Sequence, residues 1–311
     1  MIISASRRTD IPAFYSQWFM NRLKEGYALI PNPRNPGRLG RVELSADHVD
    51  CIVFWTKNSI PMLDKLEQLE AMGYAFYTHF TLTPYGQEME SCLPPKPKLL
   101  QAFIKLSKQT SSQRVVWRYD PIIVDADHSI SWHIEQFTRM CGELHPYTKR
   151  CILSFIDPYK SISDKFRAMT RDEMLAIASG FSEAAQKYDM ALYTCAEEIE
   201  LAEYGIGHAA CIDRKWVEEI IGCRITAKKD ANQRAACGCI ESVDIGVYDT
   251  CTHGCLYCYA TSDRKTALGR LRAHDTRAPM INGYPKGNEI VTDRTASSKK
   301  IKQISMFQEE F

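Results

Sequence analysis

The chain has almost no net charge: 39 Lys and Arg stand against 38 Asp and Glu, a formal balance of +1. No global basic field therefore points to nucleic acid. Long apolar runs are also missing, and none is long enough to span a bilayer. The opening Met-Ile-Ile-Ser-Ala-Ser passes directly into Arg7 and Arg8. It lacks the basic-then-apolar order of a secretory signal and reads as a first strand. These absences lead us to expect a cytoplasmic protein with no membrane partner. Cysteine, by contrast, is plentiful, with 12 in 311 residues. In a chain of this size without a signal, that count favours metal or cluster ligation over a disulfide framework. Hydrophobic residues make up 45%, enough for one large core or two modest ones.

Cys251, Cys255 and Cys258 stand at C-x3-C-x2-C spacing, with Tyr257 before the last. Thiolates are the soft ligands that iron–sulfur clusters require. Gaps of three and two residues let one short loop reach three irons of a [4Fe–4S] cluster and leave the fourth open. Gly254 permits the tight path. The alternative is zinc, completed by a fourth cysteine or His253. Ligand softness and spacing favour the cluster. Cys237-Gly-Cys239 forms a second pair. With Cys195 and Cys211 it defines a candidate second metal site, another cluster or zinc. Against this, Cys195 and Cys211 also suit the role of small buried hydrophobes. Cys51, Cys92, Cys141, Cys151 and Cys223 lie in apolar or helical contexts and read as structural.

Short apolar runs at residues 2–6, 28–31, 51–55, 75–81, 114–118, 151–155 and 191–195 read as strands buried on both faces. Helix-period segments at 60–72, 98–108, 133–144 and 171–188 separate them. The alternation implies an α/β fold with a parallel sheet, most simply a TIM-like (β/α) barrel. We divide the chain into a barrel domain (1–195), a cysteine-rich segment completing the barrel (196–262) and an extended tail (263–311). Residues 244–248 could be the strand that feeds the first cysteine loop.

Polar groups follow the apolar strands, where the mouth of such a barrel holds its site. Arg7, Arg8 and Asp10 follow the first strand, Lys57 and Asn58 the third, and Arg118 and Asp120 the fifth. Arginine forks grip carboxylates or phosphates, although an Arg8–Asp10 pair could simply brace the loop. Trp55, Tyr85 and Tyr119 could stack on a base or pack the core. Glu197 could bind ribose hydroxyls or an amino group. A different site is also open: Asp10, Asp120, Asp157, Glu197 and His79 could hold the ions of a metal-dependent hydrolase or nuclease.

The cysteine loop with its preceding tyrosine resembles that of radical S-adenosylmethionine enzymes. In that superfamily the open iron chelates the amino and carboxylate groups of the cofactor. Reductive cleavage then yields a 5′-deoxyadenosyl radical. The resemblance implies an electron donor such as flavodoxin or ferredoxin. The superfamily usually carries this loop after its first strand, whereas here it lies in the last quarter of the chain. Membership therefore implies a circularly permuted barrel. The superfamily's glycine-rich strand end has no counterpart downstream of the loop. The wider string Cys237-Gly-Cys239, Ser242-Val-Asp244-Ile-Gly246 and Cys258-Tyr-Ala260, with Ser6-Arg-Arg-Thr-Asp10, resembles a family of bacterial proteins, DUF1848. That likeness covers about residues 1–262 and implies an iron–sulfur cluster. Gln303, Met306 and Phe307 resemble a peptide that docks on the DNA sliding clamp, which would bring the protein to DNA. A non-catalytic, clamp-associated redox sensor is the remaining reading.

Overall fold

The computed structural model describes residues 1–159, 162–294 and 297–301. The clamp-like peptide at Gln303–Phe307 lies outside them. The strands are β1 (Ile2–Ala5), β2 (Tyr27–Asn32), β3 (Asn35–Glu43), β4 (Cys51–Thr56), β5 (Phe76–Thr81), β6 (Val115–Ile122), β7 (Arg150–Phe155), β8 (Ala191–Cys195), β9 (Gly207–Ala209), β10 (Val243–Asp244) and β11 (Ile290–Arg294). Eight of them form one sheet in the order β10-β1-β4-β5-β6-β7-β8-β9. Every pairing in that sheet is parallel.

Parallel neighbours need crossovers, and helices supply most of them. Lys96–Gln109 joins β5 to β6, Ile130–Leu144 joins β6 to β7, and Arg171–Lys187 joins β7 to β8. The last begins at a capping box, in which Thr170 and Glu173 each satisfy the other's backbone N–H. A large core fills one face of the sheet, where Phe54, Phe76, Phe80 and Trp117 meet Phe103, Phe137 and Phe181. The alternate strand residues Ile2, Val53, Tyr77, Val116 and Ile152 form a second cluster with Ala210, Ile212, Trp216, Cys239 and Ile240. Both faces are thus covered, which is why the strands read as continuous apolar runs.

The parallel α/β architecture agrees with the sequence reading, but the strand ladder does not close. Among the described residues β9 and β10 are edges, and one backbone hydrogen bond between their flanking loops, Ile240 N–H to Ile212 O at 3.0 Å, links them. Two further differences concern peripheral strands. The run at 28–31 forms β2, which pairs antiparallel with β3 and not with the main sheet. The segment expected as an extended tail carries a helix, Arg264–Arg272, and β11, which pairs with β3. That helix is mostly charged and polar, with Ala267 as its buried residue, so it has no apolar stripe to announce it.

Candidate metal centre

The C-terminal ends of β1, β4, β6, β7 and β8 open into one cavity of about 570 Å³. Both cysteine groups line it: Cys251, Cys255 and Cys258, and Cys195, Cys211, Cys237 and Cys239. So do Arg7, Arg8, Asp10, Lys57, Arg118 and Asp120. Ligands of open α/β sheets bind beyond the carboxyl ends of the strands.

The first loop is stitched to the end of β1. The Asp244 carboxylate accepts from Ser6 Oγ at 2.6 Å, Ser4 Oγ at 3.0 Å and the Arg7 N–H at 2.9 Å. Thr9 and Thr250 hydroxyls meet at 2.6 Å. Within the loop Gly254 has φ +71°, a region open to glycine at little cost. Its pro-Cβ position lies 2.4 Å from Ser91 Oγ, so a side chain would collide there. His253 Nε2 stands 2.7 Å from Asp10 Oδ2, and its Nδ1 is buried without a partner. The same carboxylate accepts from Thr56 Oγ1 (2.7 Å) and from the N–H groups of Lys57 (2.8 Å) and Ala13 (3.0 Å). Asp10 therefore ties three segments together, and Arg8 lies instead over the Tyr248 ring at 5.1 Å.

Beneath the loop lies a buried ionic cluster that sequence reasoning missed. Glu90 is 1% exposed. It accepts from Lys57 Nζ at 2.8 Å and Thr83 Oγ1 at 2.9 Å, and also from Lys96 Nζ and the Tyr257 hydroxyl. Burial works against its charge, but the two ammoniums prevail and hold its carboxyl down at about 2. One carboxylate cannot compensate two cations. Lys57 is held above its usual range, burial being outweighed by Glu90, whereas burial and Lys57 push Lys96 down. Nothing in the run Gln87–Ser91 announces this role, because Glu90 gains its partners only through tertiary contacts.

The second cysteine group also assembles. Cys195 and Cys211 sulfurs lie 2.7 Å apart, and Cys239 lies near both Cys211 and Cys237. Arg118 donates to Cys211 Sγ at 2.7 Å and to Asp120. Arg7 faces Cys239 and Cys211. The two guanidiniums flank Trp55, at 4.9 and 5.4 Å from its ring centroid. Among the described residues no group of three or more His, Cys, Asp or Glu is placed to hold a metal ion. A cluster does not require three donors around one ion, because each cysteine binds a different iron.

The remaining candidates are spoken for. Glu197 is absent from the cavity lining; its Oε1 accepts from Ser154 Oγ (2.9 Å) and the Phe155 N–H (3.0 Å). Burial raises its carboxyl to about 7. Asp157 pairs with Arg234. His79 Nε2 meets Cys211 O at 2.6 Å, and burial with nearby Arg118 lowers it to about 3. Asp10, Asp120, Asp157, Glu197 and His79 thus each answer to a different partner. Tyr85 and Tyr119 are fully buried, their hydroxyls engaged by Pro121 O and His133, so they pack the core and do not face a ligand. Asn58 Oδ1 accepts from the Ile60 N–H at 3.2 Å and shapes a turn.

Fold and cavity together define an α/β protein with a parallel sheet and a sulfur-lined pocket at its strand ends. The chain belongs to the family described as Domain of unknown function (DUF1848), whose model matches residues 2–260. No curated protein and no solved structure matches it. No helix among the described residues is long and apolar enough to cross a membrane.

Proposed function

We propose that this protein is an iron–sulfur enzyme of the radical S-adenosylmethionine type, built on a circularly permuted, TIM-like partial barrel. The observation that carries the reading is the position of β10. This strand feeds the cysteine loop and lies parallel beside β1 at the sheet edge. Read across the sheet, the loop-bearing strand comes first and β1, β4, β5, β6, β7 and β8 follow. Late position in the chain thus coexists with first position in space, as a permutation requires.

Cys251, Cys255 and Cys258 would hold the cluster. Their donor set fits: three soft ligands from one tight loop at a cavity. When bound, the cluster would supply the electron that breaks the sulfonium bond and yields the 5′-deoxyadenosyl radical. The chain's own residues bind and orient. Arg8, at the cavity wall, offers a fork for the cofactor carboxylate. Lys57, Glu90 and Tyr257 fix the floor of the loop and exclude water from it. Tyr159, Tyr248 and Tyr259 line the cavity and are 42%, 40% and 48% exposed, a surface suited to a planar substrate. Nucleic acid remains the substrate class we propose, by way of the clamp-like tail, with a flavodoxin or ferredoxin as reductant in the cytoplasm.

The test is anaerobic purification followed by electron paramagnetic resonance of the reduced protein, with and without S-adenosylmethionine, and chromatography for 5′-deoxyadenosine. A cluster signal that shifts on adding the cofactor, with 5′-deoxyadenosine formed, supports the reading. A signal indifferent to it, with no cleavage, refutes it.

A further inference from the structure

Cys195 ends β8, Cys211 follows β9, and Cys237 and Cys239 precede β10. Four positions spread over 45 residues of sequence thus meet at one wall of the cavity. The Cys195 and Cys211 sulfurs touch, and Cys239 lies near both Cys211 and Cys237. The 2.7 Å approach of Cys195 and Cys211 is too long for a disulfide, whose S–S bond is about 2.05 Å. All four are free thiols.

Their surroundings are cationic. Arg118 is 7% exposed and spends one nitrogen on the Cys211 sulfur. Arg7 faces Cys211 and Cys239, and its Nη2 is buried without a partner. A buried guanidinium needs an anion. Asp120 answers Arg118, but Asp244, the acid near Arg7, gives its oxygens to Ser4, Ser6, the Arg7 backbone and Gly246. Four thiolates around a cationic core form a net anionic centre, and two arginines aimed at the sulfurs supply its counter-charge. The Ile212 N–H points at Cys239 Sγ at 3.4 Å, the kind of donor that tunes a ligating sulfur.

We propose that Cys195, Cys211, Cys237 and Cys239 ligate a second iron–sulfur cluster in the same cavity as the first cysteine loop. Iron and zinc counts separate a cluster from a four-cysteine zinc ion. The site would tie β8 and the β9 edge to the β10 edge, across the gap that strand pairing leaves open. It involves residues other than the three in the C-x3-C-x2-C loop and does not depend on cofactor cleavage.

The test counts iron, sulfide and zinc in anaerobically reconstituted protein. Wild type is expected to hold about eight irons per chain, and a Cys251→Ala/Cys255→Ala/Cys258→Ala variant about four, as two [4Fe–4S] clusters require. A Cys237→Ala/Cys239→Ala variant should lose the complementary half. If that double variant does not fold, wild-type stoichiometry with Mössbauer spectroscopy still decides. About four irons in wild type that the Cys237→Ala/Cys239→Ala variant keeps, no iron in the loop variant, or one zinc in place of the second iron set would each overturn the proposal. Loss of iron from the loop alone would instead count against the first centre and leave this one standing.

Discussion

Replacing Glu90 by glutamine should destabilise the protein by about 3 kcal/mol, and two routes lead to that figure. The carboxyl sits at about 2 against an ordinary 4.5. A difference of roughly 2.5 units corresponds to about 3.4 kcal/mol at about 1.36 kcal/mol per unit. Independently, removing one partner of a buried ion pair costs about 3–5 kcal/mol, because the other charge is left buried and uncompensated. Here two are left, Lys57 and Lys96, 15% and 29% exposed at their side chains. The pH dependence follows from the direction of the shift. A carboxyl lowered on folding stabilises above its unfolded value of 4.5 and loses that contribution as pH falls from 4.5 towards 2. Urea unfolding of wild type and Glu90→Gln at pH 7 and pH 3 is the assay. The gap should be wide at pH 7 and narrow at pH 3. Adding Lys96→Met should recover part of the loss, since Lys96 is the cation that the cluster compensates least. A loss below about 1 kcal/mol at pH 7 would refute the reasoning, as it lies within the range of surface pairs.

Other positions offer independent checks. Asp10→Ala strips the acceptor from four donors and should cost about 2–4 kcal/mol, read by urea midpoint, with a lower iron count after reconstitution. Gly246→Ala would place Cβ 2.0 Å from Ser6 Oγ and 2.6 Å from Ser6 Cβ; a loss of about 1–3 kcal/mol in urea unfolding is expected from such overpacking. Glu197 is raised on folding to about 7, so its stabilising effect is complete below 4.5 and is lost as pH rises to 7, by about 2–3 kcal/mol after allowance for partial exposure. Glu197→Gln should flatten that part of the stability profile, and an unchanged profile would contradict it.

How much of this was legible depended on range. Six of the seven expected strands enter the main sheet because buried parallel strands must be apolar on both faces, and that demand is written locally. The run at 28–31 obeyed the same rule but paired with β3, since Leu29 is buried against Leu39 and Met280, a partnership no window reveals. β9 is three residues with Gly207 and His208 in it, too short and polar for any pattern. The cysteine spacing was readable because a loop that wraps a cluster is local. The joining of Cys195 to Cys211 could be suspected from residue type alone. Glu90 could not, because its two lysines and tyrosine come from three separate segments. Asp10 lines the cavity, as its place after the first strand suggested, but its bonds to Thr56, Lys57 and His253 come from distant segments and could not be read in sequence.

The two cysteine groups stand at opposite edges of one unclosed sheet. The first follows β10, and the second gathers the ends of β8 and β9 with the approach to β10. A parallel barrel abolishes its edges by pairing the last strand with the first. This sheet is not joined that way among the described residues: loop residues Ile212 and Ile240 make the one bridging backbone hydrogen bond. Cys211 and Cys239 immediately precede those residues. Ligation through them would fasten the gap where backbone pairing is weakest, so metal binding there would contribute directly to folding. The two centres then have different consequences when lost. Without the first, the sheet edges would remain joined and the cavity would lose the chemistry proposed for it. Without the second, the wall of the cavity would loosen, and the Arg7 and Arg118 guanidiniums would lose the anion proposed to face them.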